Sequence, residues 1–159
     1  MQDIKIKSAD IIFNYRVAIV IRNNNKILVQ VDNQVNHITL PGGRCQLGET
    51  SIDTAVREFK EETNIDVQHV KILGIIENFF ESSFSKNNIH EILIIHEVKF
   101  IDKSMYNLNI INNIEETKKS HLLYLWMSVD ELNSKKLKPK VILELINTNN
   151  FQHHIIKEN

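Results

Sequence analysis

The sequence predicts an α/β fold, in which an α/β/α sandwich surrounds a mixed β-sheet. Two observations lead to this class. Apolar runs rich in β-branched residues, which are typical of strands, lie on both sides of one amphipathic helical pattern in the 159-residue chain. A further helical pattern begins at Pro139 near the C-terminus. Strands on both sides of a helix, with another helix after them, are typical of a sheet covered by helices.

Length and composition are those of one globular domain over residues 1–159, with hydrophobic and charged fractions of 42% and 25%. The net charge of −1 does not favour binding of a nucleic-acid polymer. It does not exclude a nucleotide, because metal ions can bring polyphosphate to an acidic site. The single cysteine, Cys45, cannot form an internal disulfide, and no apolar run approaches membrane-spanning length. We therefore expect a soluble cytoplasmic protein with no membrane partner.

The segments before the first helix alternate between strand and turn patterns. They are an edge strand within 1–14, a buried strand over 15–22, an Asn-rich turn over 23–26, the returning strand of a hairpin over 27–32, a loop to residue 36 and a short strand over 37–40. That last strand leads into Pro41-Gly42-Gly43, where two glycines allow the backbone to approach a ligand closely.

The segments after the first helix include three more strands and two short helices. They are strands over 67–78 and 89–101 joined through 81–88, a long loop or partly ordered segment over 102–119, a strand over 121–127, a short helix opened by a capping box at Ser128, and a last helix with Pro139 in its first turn. The tail over 147–159 is expected to be frayed.

The helical pattern over residues 51–63 carries the strongest functional signal. One face is apolar, since positions i, i+3, i+4 and i+7 are Ile52, Ala55, Val56 and Phe59. At about 100° per residue, a neighbouring stripe gathers Glu58, Glu61 and Glu62. Like charges at this spacing destabilise a helix slightly, so folding alone does not favour them. The stripe is either a solvated acidic face or a site for a cation.

A wider series of residue types at fixed spacings includes the glutamate stripe: Gly43, Glu49, Arg57, Glu58, Glu61, Glu62 and Ile65. This series resembles the signature of the Nudix hydrolases, whose fold is an α/β/α sandwich. Asn64 stands where the family has a glycine, but Asn is the next-best residue for a left-handed helix C-cap. Phe59 replaces a usually aliphatic residue, and Gln46 stands where many relatives have another acid.

The resemblance implies hydrolysis of a nucleoside diphosphate linked to another group, with Mg²⁺ as the cofactor and Mn²⁺ as an alternative. The metal ligands that it implies are the carbonyl of Gly42 and the carboxylates of Glu58, Glu61 and Glu62. Arg57 is similar to the residue that orients a motif glutamate through a bidentate pair, and Glu49 either supports the ligands or holds a further ion. A small-molecule nucleotide partner and a homodimer, which is common in the family, are also implied.

Acids and arginines outside the stripe complete the candidate site. The general base that the resemblance implies is a motif glutamate, for which we expect Glu58 or Glu61, or an acid of the long loop, with Glu115 and Glu116 as alternatives. Glu91 is a candidate because family members often have an acid on this strand near the metals. Two arginines are candidates for binding phosphate oxygens, or are solvated surface residues: Arg44 and Arg16.

The substrate is predicted by elimination. The resemblance supplies sequence markers for ADP-ribose, dinucleoside polyphosphate, coenzyme A and NADH enzymes, and these are absent here. A nucleoside or deoxynucleoside triphosphate, cut to monophosphate and pyrophosphate, is the remaining default. The alternatives are another nucleoside diphosphate derivative (ADP-ribose, a sugar nucleotide or a dinucleoside polyphosphate), a non-catalytic domain that senses a nucleotide, and an isomerase of prenyl diphosphates on the same fold.

Overall fold

The computed structural model describes residues 1–32, 37–82, 85–115, 121–148 and 150–157. Its strands are β1 (Lys5–Ser8), β2 (Ile11–Asn23), β3 (Lys26–Asp32), β4 (Ile38–Thr39), β5 (Gly42–Arg44), β6 (Val67–Glu81), β7 (Asn88–Phe100), β8 (Ile110–Asn112), β9 (Leu122–Ser128) and β10 (Gln152–Lys157). Its helices are α1 (Ser51–Thr63), a 3₁₀ helix (Lys103–Asn107), α2 (Val129–Ser134) and α3 (Ile142–Asn147).

The strands form a mixed sheet, as the sequence predicted. Its main path runs β10-β6-β7-β2-β3-β9-β8, while β1 and β5 pair with β2, and β4 pairs with β3. Two pairings on this path, β2 with β7 and β6 with β10, are parallel, and the others are antiparallel. β2 and β3 form the predicted hairpin at Arg22 and Ile27. The two strands then take different partners, because β5 pairs with β2 whereas β4 pairs with β3.

Helices cover both faces of the sheet, which confirms the sandwich. Alternate residues of β2 point to opposite faces. Val17, Ile19 and Ile21 belong to the core under α1, together with Ala55 and Phe59 of that helix. The second core lies on the other face and combines residues of the same strand with the apolar residues of α2 and α3: Ala18, Val20, Leu132, Ile142, Leu145 and Ile146.

Two expectations for the C-terminal half are corrected. The tail predicted to be frayed contains β10, which extends the sheet by parallel pairing with β6 from Gln152 to Lys157. The segment over 102–119 was predicted as a long loop or a partly ordered segment, and its described part, which ends at residue 115, contains the 3₁₀ helix and β8. α3 begins at Ile142, so Pro139 precedes the helix instead of lying in its first turn. None of the helices in the described ranges is long and apolar enough to span a bilayer.

Candidate active site

Both ends of helix α1 have capping residues. Thr50 is the N-cap, and its hydroxyl accepts a hydrogen bond from the backbone N–H of Asp53 at 3.1 Å. Asn64 is the C-cap in the left-handed conformation, with φ of 57°, and its N–H donates to the carbonyl of Lys60. The predicted helix over 51–63 and the left-handed role of Asn64 are therefore confirmed. These caps set the first and last residues of the helix that carries the glutamates.

Arg57 and Glu49 form a bidentate ion pair at the start of the site. Arg57 donates from Nε to Glu49 Oε1 at 2.7 Å and from Nη2 to Glu49 Oε2 at 2.9 Å. The hydroxyl of Thr54 and the N–H of Gln46 donate to the same Oε2. The hydrogen bond from Arg57 is the largest of the influences that lower the pKa of Glu49 to about 2, and that from Glu49 raises the pKa of Arg57. Glu49 is therefore ionised, with both oxygens hydrogen-bonded.

Arg57 also joins two glutamates of the predicted stripe. Its Nη1 donates to Glu58 Oε1 at 3.0 Å and to Glu61 Oε2 at 2.9 Å, while Nη2 reaches the carbonyl of Arg44 at 3.1 Å. The Glu58 side chain is 13% exposed and that of Glu61 is 54% exposed. A lysine could not make these bonds together, because an ammonium lacks the planar fork of a guanidinium. Arg57 thus holds the carboxylates beside β5, which contains Gly42 and Gly43 and is called the glycine strand below.

The two glycines of β5 allow the closest approach in the site. A Cβ atom on Gly43 would clash with the carboxylate of Glu58, so that side chain lies directly against the strand. Gly42 has φ of 154° and faces the carbonyl of Val17, and a side chain there would clash with backbone. Both glycines are held in place by antiparallel pairing with β2. The Pro-Gly-Gly segment therefore forms one wall of the site.

A cavity of about 340 Å³ lies between this wall and α1. It is charged, with both acidic and basic side chains. Its lining residues are Asp3, Arg16, Gly42, Gly43, Arg44, Gln46, Arg57, Glu58, Glu61 and Glu115. Glu115, the alternative base, thus reaches the same cavity as Glu58 and Glu61, whereas Glu116 lies outside the described residues.

Glu62 lies apart from this cavity. It is 2% exposed, and its Oε2 accepts a hydrogen bond from the hydroxyl of Tyr124 at 2.6 Å. Burial raises the pKa of Tyr124, and the charge of Glu62 adds to this effect, so the hydroxyl keeps its proton. The structure brings Glu58 and Glu61 together but turns Glu62 toward β9. Among the described residues, no three His, Cys, Asp or Glu side chains are close enough to share an ion.

The donor set of the smaller cavity nevertheless suits a hard divalent cation. Its wall combines four carboxylates with glycine backbone, and Mg²⁺ prefers oxygen ligands. Glu58 Oε1 and Glu61 Oε2 lie within about 6 Å of each other, because both accept from Arg57 Nη1. An octahedral ion with bonds of ~2.1 Å needs ligand oxygens within about 4 Å of each other. Rotation of one flexible side chain would meet that requirement.

A larger cavity of about 520 Å³ adjoins the first and shares Arg16 and Gly42 with it. Glu91 lines it, is 6% exposed and lies 3.8 Å from Arg16. Asn78 lies opposite Glu91 in the strand register and donates to it at 3.4 Å, while its Oδ1 has no partner in the described part of the chain. Sequence reasoning missed Asn78, because only the register of β6 and β7 places it beside Glu91.

The remaining candidates have mixed surroundings. Arg44 donates to Asn14 Oδ1 at 3.2 Å and lies 3.7 Å from Asp3, with its side chain 36% exposed. Arg16 is 40% exposed and lines both cavities. Cys45 is fully buried in the core under α1. Both arginines are therefore accessible to a ligand, whereas the cysteine is not.

Comparison with known proteins identifies a family. The NUDIX domain model matches residues 13–146 of the chain. An asymmetrical bis(5'-nucleosyl)-tetraphosphatase of Sus scrofa is 42% identical over 53 residues, which are 33% of this chain and 34% of the pig protein. The match therefore spans about a third of that relative's length.

Solved structures show the same fold. An ADP-ribose pyrophosphatase of Streptococcus suis has a TM-score of 0.55 at 19% identity, covering 90% of this chain and 98% of its own. The mutator MutT protein of Bacillus halodurans has a TM-score of 0.62 at 16% identity, covering 89% of each chain. Because the family model covers most of its length, the chain belongs to the Nudix family. The predicted family and fold are confirmed, and they support the predicted class of pyrophosphohydrolase.

Proposed function

We propose that this protein is a Mg²⁺-dependent pyrophosphohydrolase that cleaves a nucleoside or deoxynucleoside triphosphate to the monophosphate and pyrophosphate. The observation that carries the proposal is the contact between Arg57, Glu58 and Gly43, where an arginine-held carboxylate faces a glycine strand in a charged cavity. A phosphoanhydride carries several negative charges, so its hydrolysis needs cations around the phosphates. The cavity can supply cations in two ways, because its acidic side chains can bind a metal ion and its arginines can bind phosphate oxygens.

The proposal assigns a role to the acids of α1 and to Arg57. Glu58 and Glu61, with the carbonyl of Gly42, would hold the ion from the smaller cavity, and Glu62, one helical turn after Glu58, would add a third carboxylate from outside it. A bound ion would neutralise phosphate oxygens and lower the pKa of water. Arg57 keeps Glu58 in place while Glu49 holds Arg57. These positions restrict the carboxylates before substrate binds, which reduces the entropic cost of reaching the reactive geometry.

The bond changes are those of a hydrolysis. The oxygen of water forms a new bond to phosphorus, and the P–O bond of the anhydride breaks, with its electron pair going to the departing phosphate oxygen. The proton of water goes to a carboxylate, for which Glu58 or Glu61 is the first candidate. Glu115 is the alternative, because it lines the same cavity. Arg44 and Arg16 would donate hydrogen bonds to phosphate oxygens.

The larger cavity would hold the nucleoside. Its volume of about 520 Å³ lies within the ordinary range for small-molecule sites. Phe80 and Leu40 offer apolar surface for a base, and Asn78 and Glu91 offer hydrogen-bonding groups. Because Arg16 and Gly42 line both cavities, one substrate can occupy them together. A nucleoside cavity next to a phosphate cavity, both lined by described residues, suits a triphosphate.

A dinucleoside tetraphosphate is the second candidate. It is favoured by the similarity over 53 residues to the pig bis(5'-nucleosyl)-tetraphosphatase. Such a substrate would place one nucleoside in the larger cavity and extend the other beyond the smaller one. The products distinguish the two candidates, since the second one gives no free pyrophosphate.

The test is release of products from a panel of nucleotides by the purified protein. With Mg²⁺, we expect pyrophosphate and monophosphate from one or more triphosphates, and no turnover when EDTA removes the metal. Cleavage of ADP-ribose, sugar nucleotides or dinucleoside polyphosphates alone would reject the triphosphate assignment. Binding of a nucleotide without any cleavage would indicate a sensor and would contradict the enzymatic proposal, and so would isomerisation of a prenyl diphosphate.

A further inference from the structure

We propose that Tyr124 is a positioning residue of the metal site, through two contacts that its buried hydroxyl makes. One contact is with Glu62 at the end of α1, and the other is with Asn113 in the segment that carries Glu115. The inference rests on the proposed function, because it assigns to Tyr124 the orientation of acids that hold the ion or accept the proton.

The contact with Glu62 has a defined direction. Tyr124 lies in β9, is 0% exposed and packs against Phe59 of α1 with ring centroids 6.2 Å apart. Asn113 Nδ2 donates to the hydroxyl at 3.1 Å, and the hydroxyl donates to Glu62 Oε2 at 2.6 Å. A hydroxyl that accepts one bond has its own proton available for the carboxylate. At 2.6 Å, the hydrogen bond from this hydroxyl to the carboxylate has the length of the stronger hydrogen bonds in proteins.

The same network anchors the segment before β9. The backbone N–H of Ile114 donates to the carbonyl of Glu62 at 2.8 Å. The N–H of Glu115 donates to Asn113 Oδ1 at 2.9 Å. Asn113 is 9% exposed, so its amide connects the buried hydroxyl with the backbone of Glu115. Glu115 then reaches the smaller cavity that Glu58 and Glu61 line.

Loss of the hydroxyl would therefore disturb two acids of the site. Glu62 would lose the donor that fixes one of its oxygens, and Asn113 would lose the acceptor that holds its amide. Hydrogen bonds that orient metal ligands typically contribute 10–100-fold to metal affinity or activity. The effect would fall on the metal and on the chemical step, since Tyr124 does not line the larger cavity. The KM for nucleotide would change little.

The test is the variant Tyr124→Phe, which keeps the ring and removes only the hydroxyl. Mn²⁺ is titrated into the nucleotide-free protein, and electron paramagnetic resonance of free Mn²⁺ gives the dissociation constant. We expect this constant to rise by about 10-fold or more and kcat to fall similarly. Nucleotide KM should stay within about twofold of the wild-type value. A control is Tyr106→Phe, because Tyr106 is half-buried and its hydroxyl accepts a hydrogen bond from the N–H of Phe100 away from the cavity.

A purely structural role predicts a different result. In that case both tyrosine variants would melt at lower temperature and bind Mn²⁺ like the wild type, and the proposal would be overturned. If Tyr124→Phe does not fold, Asn113→Ala serves instead, with the same expected rise in the dissociation constant and wild-type affinity as the contradicting result. Failure of the wild type to bind Mn²⁺ or cleave nucleotides would contradict the proposed function itself. Unchanged affinity in the variants of an active enzyme contradicts only the role of Tyr124.

Discussion

Two clusters of ionisable side chains in this molecule differ in whether their members are charged. The Arg57 cluster consists of Arg57 with Glu49, Glu58 and Glu61, and the guanidinium donates a hydrogen bond to each of these carboxylates. The histidine pair consists of His69 and His96, whose rings lie 5.2 Å apart. Neither ring nitrogen of His96 has a hydrogen-bond partner within the described ranges.

The difference decides which cluster carries charge. Arg57 lowers the pKa of Glu49 to about 2, so this acid stays ionised in ordinary buffers. Burial lowers the pKa of His96 to about 4, and the neighbouring His69 adds to this shift, so His96 stays neutral. Charged and accessible groups are what polyphosphate and a cation require. Changes to the Arg57 cluster should therefore affect activity, whereas changes to the histidine pair should affect stability.

The largest expected effect is on activity, from Glu58→Gln or Glu61→Gln. Each substitution removes one negative charge from the predicted ion site and keeps the size of the side chain. We expect Mg²⁺-dependent turnover to fall by on the order of 10³-fold. Thermal unfolding should remain almost unchanged, because Arg57 keeps its bidentate pair with Glu49. Steady-state kinetics and calorimetry measure the two quantities.

The matched control for these variants is Glu144→Gln, which removes a carboxylate from an exposed position of α3. Its activity and melting temperature should equal those of the wild type. Full activity in both Glu58→Gln and Glu61→Gln would remove the assignment of these residues to the site.

The next prediction compares alanine substitutions at two adjacent glycines, one of which should lower activity and the other stability. In Gly43→Ala the added methyl group meets the end of the flexible Glu58 side chain, which can move aside. We expect kcat/KM to fall by about 10²-fold, because the carboxylate is displaced, with little change in stability. In Gly42→Ala the methyl group meets the carbonyl of Val17 in a positive-φ conformation. This variant should lose about 1–3 kcal/mol of stability.

Denaturant unfolding and kinetics on both glycine variants measure these effects. Equal losses of stability in the two variants, or wild-type activity in Gly43→Ala, would contradict the contact between Glu58 and the glycine strand.

The last expected effect is a pH dependence of stability from His96, which leaves activity at neutral pH unchanged. The unfolded chain protonates this ring near pH 6.5, whereas the folded protein keeps it neutral until about pH 4. Below pH 6.5 the unfolded state thus binds more protons, so the free energy of unfolding falls on acidification by up to about 3 kcal/mol. Above pH 6.5 both states are neutral and the contribution is absent. Urea unfolding between pH 7 and 4 measures this decrease, and His96→Leu should reduce it; an identical decrease in the variant would exclude His96 as the cause.

The elements that the sequence predicted best are those with local signals. Helix α1 follows from its apolar period, and Asn64 adopts the left-handed conformation that its residue type allows. The capping box at Ser128 is present, with Glu131 bonded back to the Ser128 N–H. These features depend on residues a few positions apart, so the printed sequence contains the whole signal.

The features that were missed depend on distant partners. The strand β10 is stabilised by parallel pairing with β6, and nothing in a tail that contains His153 and His154 indicates that partner. The period of α1 placed Glu62 beside Glu58, but it could not show that Tyr124 would face Glu62 from β9. Asn78 reaches Glu91 only through the register of two strands. The motif therefore predicted that these acids share one helix, but it could not predict where each one points.

In the proposed site, acids of α1 beside the glycine strand hold divalent cations, and these cations hold the polyphosphate. Anomalous diffraction from crystals grown with Mn²⁺ and a non-hydrolysable triphosphate analogue tests this claim most directly. We expect manganese peaks within about 2.5 Å of carboxylate oxygens of Glu58 and Glu61, with phosphate oxygens on the same ions. Manganese bound elsewhere, or an analogue in the cavity with no metal beside these glutamates, would contradict the claim.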